Sequence, residues 1–180
     1  MGGSISLIFF ILVLPAALSV ATPENERPFV LRSTAFREGE MIPVLYTCDG
    51  KDLAPPLSWE GAPEGTRSFT LIMDDPDAPV GTWDHWVIFN IPHHIRAIDA
   101  ATKEGKEIMA SVTWGKNSWG RQDYGGPCPP GGTHRYVFRL YALDILLNLK
   151  PGADKKEVEA AMKENIIGET RLVGRYRRSK

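Results

Sequence analysis

The chain has 180 residues, of which 43% are hydrophobic and 24% charged, with a formal net charge of −1. That is enough chain, and enough apolar side chain, for one domain with a real core. Near-zero charge argues against the strongly basic face that nucleic-acid binding needs, and the Lys/Arg-rich end, RLVGRYRRSK, reads as a solvated terminus.

The first segment, GGSISLIFFILVLPAALSVA, carries no charge and has an apolar run from Ile5 to Leu18. It is short for a spanning helix, and Ser19-Val20-Ala21 matches a small-residue cleavage site. Residues 1–21 therefore read as a signal peptide cut after Ala21, which implies a secreted or periplasmic protein. An N-terminal membrane anchor is the alternative. No cysteine follows the cut directly, which argues against a lipid-anchored form. Residues 22–28, TPENERP, form a polar spacer, and residues 29–178 hold no linker or repeat, so one domain is expected there.

Within that domain, 14 prolines and 17 glycines in the whole chain punctuate short apolar runs, a pattern of strands and long loops. FVLRST is a short early strand. SFTLIMDD, from Ser68, and HWVIFNIP, from His85, are strands on either side of a Pro-rich connection, which places that connection at one end of a sheet. HRYVFRLYALD alternates: His134, Tyr136, Phe138, Leu140 and Ala142 share one face. DKKEVEAAMKENIIG is a helix with Asp154 as N-cap, Val158, Ala161, Met162, Asn165 and Ile166 on one face, and Gly168 as its stop. ETRLVGRYRR is the last strand, with Leu172, Gly174 and Tyr176 on one side. Mostly antiparallel strands with one late helix predict an all-β sandwich with a helical appendage.

Two loops carry candidate chemistry. In DDPDAPVGTWDHW, Pro76 and Pro79 fix the backbone and stiffen the presentation of Asp75 and Asp77, which an extended segment would turn toward one cavity. His85 opens the next strand, expected on a face with Val87, Phe89 and Ile91, at the rim of the core. In YGGPCPPGGTHRY, glycines including Gly126 let amides approach a ligand, and His134 and Tyr136 then start a strand. With Trp83 and prolines as walls, these residues would make an apolar pocket with a few convergent polar groups. Cys48, in YTCDG, and Cys128, in GGPCPP, are a candidate disulfide if the chain is exported; two buried thiols are the alternative.

These residues resemble the signature pair of the phosphatidylethanolamine-binding protein family. YTCDG, PPLSW, GTRSF, DDPDAP, NSWGRQDYGGPCPP and HRYVFRLYALD together are similar to its bacterial and archaeal branch, the Raf-kinase-inhibitor-like proteins, over nearly all of Phe29 to Arg178. The resemblance implies an antiparallel β-sandwich, few short helices, and a small anion pocket built from Asp75, Asp77, Pro79, His85, Gly126, His134 and Tyr136. The expected ligand is phosphate, acetate or a phospholipid headgroup, with no cofactor and no metal. The family includes inhibitors of kinases and of a peptidase, so a protease or kinase target is the second reading. The chain departs from the eukaryotic members in ending without an extra helix and in its export signal. A second copy of the chain is a further candidate partner.

Other classes fit less well. A metal- or carboxylate-dependent hydrolase would need features that do not occur: no H-E-x-x-H, no G-x-S-x-G, and His93 and His94 are adjacent and so diverge on an extended chain. The protein is read as a binding protein and not an enzyme. Charge sets one condition. A like-charge pair at 4 Å costs roughly 4 kcal/mol at an effective dielectric of 20. The expectation is therefore that Asp75 accepts a ring N–H from His85 or His134, and that anion affinity rises as pH falls from about 8 to about 5.5.

Overall fold

The computed structural model describes residues 27–178. The chain forms, in order, β1 (Val30–Ser33), β2 (Leu57–Glu60), β3 (Ser68–Asp75), β4 (Trp83–Pro92), β5 (Ala97–Ile98), α1 (Lys103–Ser111), β6 (Thr113–Trp114), β7 (His134–Leu143), α2 (Lys155–Met162) and β8 (Ile166–Tyr176). Two sheets result, one ordered β1-β2-β5 and the other β6-β4-β3-β7-β8. Every pairing between these strands is antiparallel.

β3 is buried along its whole length, which explains its near-continuous apolar run. Phe69, Leu71 and Met73 join Leu31, Leu57, Trp59 and Ile98 of the small sheet in one core. Ile72 on the opposite face joins Val158 and Met162 of α2 in a second core. The domain is thus three layers, sheet on sheet on helix, with β3 at the middle. β7 follows its predicted alternation: Tyr136, Phe138, Leu140 and Ala142 lie in the inter-sheet core, while Arg135 is exposed.

α2 starts where expected. Asp154 accepts from Glu157 N–H at 3.0 Å and Glu157 accepts from Asp154 N–H at 2.8 Å, a reciprocal cap. Its end differs from the sequence expectation. The helix stops at Met162, passes through a 3-10 turn at Lys163–Asn165, and becomes β8 at Ile166. Asn165 and Ile166 do not extend the helical face, and Gly168 lies inside a strand. The competing term is the β7–β8 ladder, which runs from His134↔Tyr176 to Leu143↔Ile166 and claims these residues. Gly168 serves packing instead: a β-carbon there would stand 2.6 Å from Pro63 Cγ.

Several elements left weak traces in the sequence. α1 is capped by Thr102, whose hydroxyl accepts from Gly105 N–H at 3.0 Å. It buries only Gly105 and Met109, and a glycine inside nine residues weakens any helical pattern. β5 and β6 have two residues each, too few to show a period.

β4 carries two irregularities that matter for the site. Met73 pairs with Trp86 but Asp74 pairs with Asp84, so His85 is an extra residue on the β4 side. This bulge sends Trp86 and Ile88 into the inter-sheet core and Val87 and Phe89 into the α2 core. The expected face shared by His85, Val87 and Phe89 is therefore corrected; the period-2 rule fails where one residue is added. The second shift lies between Phe69 and Leu71. Opposite it Asn90 takes φ 56°, a conformation asparagine tolerates, and exchanges hydrogen bonds with the Leu147 backbone at 2.8 and 3.0 Å. Ile91 is thereby returned to the inter-sheet core.

Candidate functional site

The connection from β3 to β4 and the loop before β7 meet at one end of the large sheet. They enclose a cavity of about 220 Å³ lined by residues including Asp75, Pro79, Trp83, His85, Trp119 and Tyr136. Ala78, Val80, Cys128, Pro129 and Pro130 complete the wall. Among the described residues no lysine or arginine lines it.

His85 is the central ring, 3% exposed. Its Nδ1 lies 2.6 Å from the carbonyl oxygen of Gly125, which can only accept, so Nδ1 carries the proton. In the neutral ring Nε2 is then an acceptor, and it has no protein partner among the described residues. Edges and faces of Trp119 and Tyr136 pack on the imidazole, with centroids at 5.0 and 5.2 Å. Burial holds the His85 pKa below its ordinary value, against the opposing pull of the Gly125 carbonyl and the Asp75 carboxylate.

Tyr136 is fully buried, and its hydroxyl finds no hydrogen-bond partner among the described residues. Burial, and then the neighbouring Asp75 carboxylate, push its pKa far above the usual phenol range, so it stays a neutral donor. Asp75 is 3% exposed, and both of its oxygens are engaged. Oδ2 accepts from His134 Nδ1 at 2.7 Å, and Oδ1 accepts from Asp77 N–H at 2.8 Å. Of the two histidines expected to serve Asp75, His134 does so.

The predicted residues separate into two groups. Asp75, Pro79, Trp83, His85 and Tyr136 line the cavity. His134, Asp77 and Gly126 do not. His134 stands behind Asp75 as its partner. Asp77 is turned outward to Arg135, accepting from its backbone N–H and from Nε, both at 2.9 Å. The guanidinium holds its carboxyl at about 2, well below the usual range. The expectation that Asp75 and Asp77 face one cavity is thus corrected, because the intervening backbone is a turn and not an extended segment. Gly126 gives its N–H to Asp52 Oδ1 at 2.7 Å, so that amide is not free for a ligand. A side chain there would run into Asp52 and the Tyr46 carbonyl.

Sequence reasoning missed Trp119 and the residue that holds it. The Asn117 side chain is 3% exposed and organises the loop. Its Oδ1 accepts from the N–H of Trp119 and of Arg121 at 3.1 and 3.0 Å, and its Nδ2 donates to Asp123 Oδ1 at 2.9 Å. The signal was an asparagine two residues before a tryptophan, a self-folding turn. Ser118 joins the loop to β4 by reciprocal bonds with Asp84 at 2.8 and 2.9 Å.

The opposite wall is tied covalently. Cys48 and Cys128 are disulfide-bonded, with Cα atoms 5.4 Å apart. Tyr124 also donates to the Tyr46 carbonyl at 2.8 Å, and Cys48 N–H to the Pro127 carbonyl at 3.2 Å. Behind the site, Asp74 is 1% exposed and accepts from Arg139 at 2.7 Å and Lys155 at 2.6 Å. Lys155 reaches Asp84 as well, at 3.2 Å. Among the described residues no cluster of three or more His, Cys, Asp or Glu is arranged to hold a metal ion.

The chain is thus an antiparallel β-sandwich with a histidine–carboxylate–tyrosine cavity at one end of its large sheet. The chain belongs to the phosphatidylethanolamine-binding protein family, whose model matches residues 32–177. It is 48% identical over 148 residues to a UPF0098 protein of Methanothermobacter thermautotrophicus, covering 82% of this chain and 98% of that one. It is 40% identical over 152 residues to LppC of Mycobacterium tuberculosis, which bears a lipoprotein name, covering 83% and 72%. Among solved structures it resembles the family homologue CT736 of Chlamydia trachomatis, with TM-score 0.78 and 34% identity over 84% of this chain and 99% of that one. YbcL of E. coli matches with TM-score 0.77 and 29% identity, over 85% and 100%.

Proposed function

We propose that this is an exported binding protein whose His85 cavity takes one small acid group, phosphate or carboxylate, either free or as the head of a larger molecule. The single observation that carries this reading is the polar inventory of the cavity. The unpartnered Tyr136 hydroxyl can donate, and His85 presents Nε2 with its own proton fixed on the far nitrogen. An oxyanion needs a donor at Nε2. One proton must therefore come with the ligand, as in a monohydrogen phosphate ester, or must be taken up by the imidazole. The Asp75 carboxylate, held in place by His134 and the Asp77 N–H, opposes a second negative charge beside it, which is a further reason for a proton to accompany the ligand.

Binding should thus be linked to proton uptake. Affinity for inorganic phosphate or acetate rises as pH falls from about 8 to about 5.5, more steeply toward the acid end because burial lowers the His85 pKa. Calorimetry in buffers of different ionisation enthalpy measures the uptake directly. Flat affinity with no proton uptake would refute the account. The Cys48–Cys128 bond supports the export part of the reading, since such bonds persist in oxidising compartments. No helix among the described residues is long and apolar enough to cross a membrane. Residues 1–21, read as a signal, lie outside the described part.

A second reading, inhibition of a protease or kinase by the cavity rim, is favoured by Val80, a rim residue 78% exposed. Val80→Asp abolishing inhibition while phosphate binding persists would support it.

A further inference from the structure

A larger cavity lies away from this site. It measures about 580 Å³, in the range of ligand sites, and runs between β1 and β8, the edge strands of the two sheets. Leu31, Phe36 and Leu172 form its floor, each no more than 4% exposed. Arg32, Arg37 and Arg171 stand on its rim, all exposed. Arg32 pairs with Glu60, but Arg37 and Arg171 make no ion pair among the described residues.

The backbone at this edge is only partly covered. Residues 39–42, a turn leading into an isolated bridge, cover part of the β8 edge: Gly39 N–H donates to the Val173 carbonyl and Ile42 N–H to the Arg175 carbonyl, both at 2.7 Å. The Met41↔Arg175 bridge is parallel. That cover reaches no further than Val173, whose own N–H is met by Glu38 Oε2 at 2.8 Å. At the other end Leu31 N–H is met by Thr170 Oγ1 at 3.2 Å. Between these closures stands Arg171. By strand alternation its N–H and C=O point out of the sheet, as those of Val173 and Arg175 do, and neither finds a partner among the described residues.

We infer that this slot is a docking site for an extended acidic peptide, which adds to the β8 edge at Arg171, beyond the part that residues 39–42 cover. Main-chain pairing at Arg171 supplies the register, the Leu31–Phe36–Leu172 floor receives an apolar side chain, and Arg37 and Arg171 receive carboxylates on its flanks. Charge argues for an acidic guest, because Arg37 and Arg171 are unpaired while Glu38, the one carboxylate in the lining, is already held by the Val173 N–H. It also argues against a second copy of this chain, since a two-fold β8–β8 pairing would set Arg171 against Arg171.

The test uses the full chain and fluorescent, end-blocked heptapeptides of alternating glutamate and valine, or of alternating lysine and valine. The acidic peptide should bind at least about tenfold tighter than the basic one, and more weakly at high salt. A single N-methylated central amide should remove binding, because it deletes the main-chain donor. The charge-reversed double variant Arg37→Glu/Arg171→Glu should invert the preference. NMR shifts should fall on β1 and β8, with the His85 resonances unmoved. Equal affinity for the two peptides, indifference to N-methylation, shifts confined to the His85 cavity, or a dimer by sedimentation that buries β8 would each overturn the inference.

Discussion

His134 donates from Nδ1 to Asp75 Oδ2 at 2.7 Å, with both side chains more than nine-tenths buried. This pair joins the first residue of β7 to the last of β3, and so fixes one wall of the cavity from outside it. Truncating one partner leaves the other buried and unsatisfied. His134→Ala should cost about 1–3 kcal/mol of stability in urea unfolding. A double-mutant cycle with Asp75→Asn should show a coupling of about 0.5–3 kcal/mol. Additive single changes would show that the bond contributes nothing.

Asp77 gives an acid-limb prediction. Its folded pKa, about 2, lies below the ordinary 3.8, so the unfolded chain binds the proton more readily. The stabilisation from Arg135 is therefore complete above the unfolded pKa and is lost as pH falls through the folded one. Asp77→Asn should have a lower urea midpoint than the parent at pH 6, and the gap should close between about pH 4 and pH 2. A gap that persists at pH 2 would assign the loss to something other than charge.

Lys155 bridges two carboxylates that face each other across the β3–β4 ladder, Asp74 and Asp84. Lys155→Met should cost about 3 kcal/mol, since it leaves buried Asp74 beside the half-buried Asp84 carboxylate, with Arg139 as the one remaining cation on Asp74. Replacing Lys155 and Asp74 together, by Met and Asn, should recover part of that loss. Denaturant midpoints of the three variants decide it.

Reduction of the Cys48–Cys128 bond frees a loop spanned by a sequence separation of 80. On the chain-entropy model this lowers stability by roughly 4 kcal/mol. Scanning calorimetry with and without a dithiol should show a lower transition temperature, and Cys48→Ser/Cys128→Ser should match the reduced protein. An unchanged transition would mean that the unfolded chain is already confined in this region.

The parts of this protein that could be read from sequence are those governed by local rules. The alternation of β7, the capping of α2 by Asp154 and the wall residues Pro79 and Trp83 follow from period, hydrogen-bonding type and stiffness. What could not be read depends on partners far along the chain. The end of α2 is set by β7, which competes for Ile166 and Gly168. Asp77 is turned outward by Arg135, 58 residues away. Trp119 became part of the site because Asn117 folds its loop and Ser118 fastens it to β4, neither of which leaves a periodic trace.

The extra residue in β4 couples the length of that strand to its chemistry. Losing one residue at His85 would restore an unbroken ladder to Asp74 and Met73, and the sheet would gain regularity. The imidazole, however, would no longer meet the Gly125 carbonyl or the Tyr136 ring. Over evolutionary time this strand should therefore accept substitutions far more readily than deletions, and a descendant that had lost one residue there could remain a sound sandwich with an inert cavity.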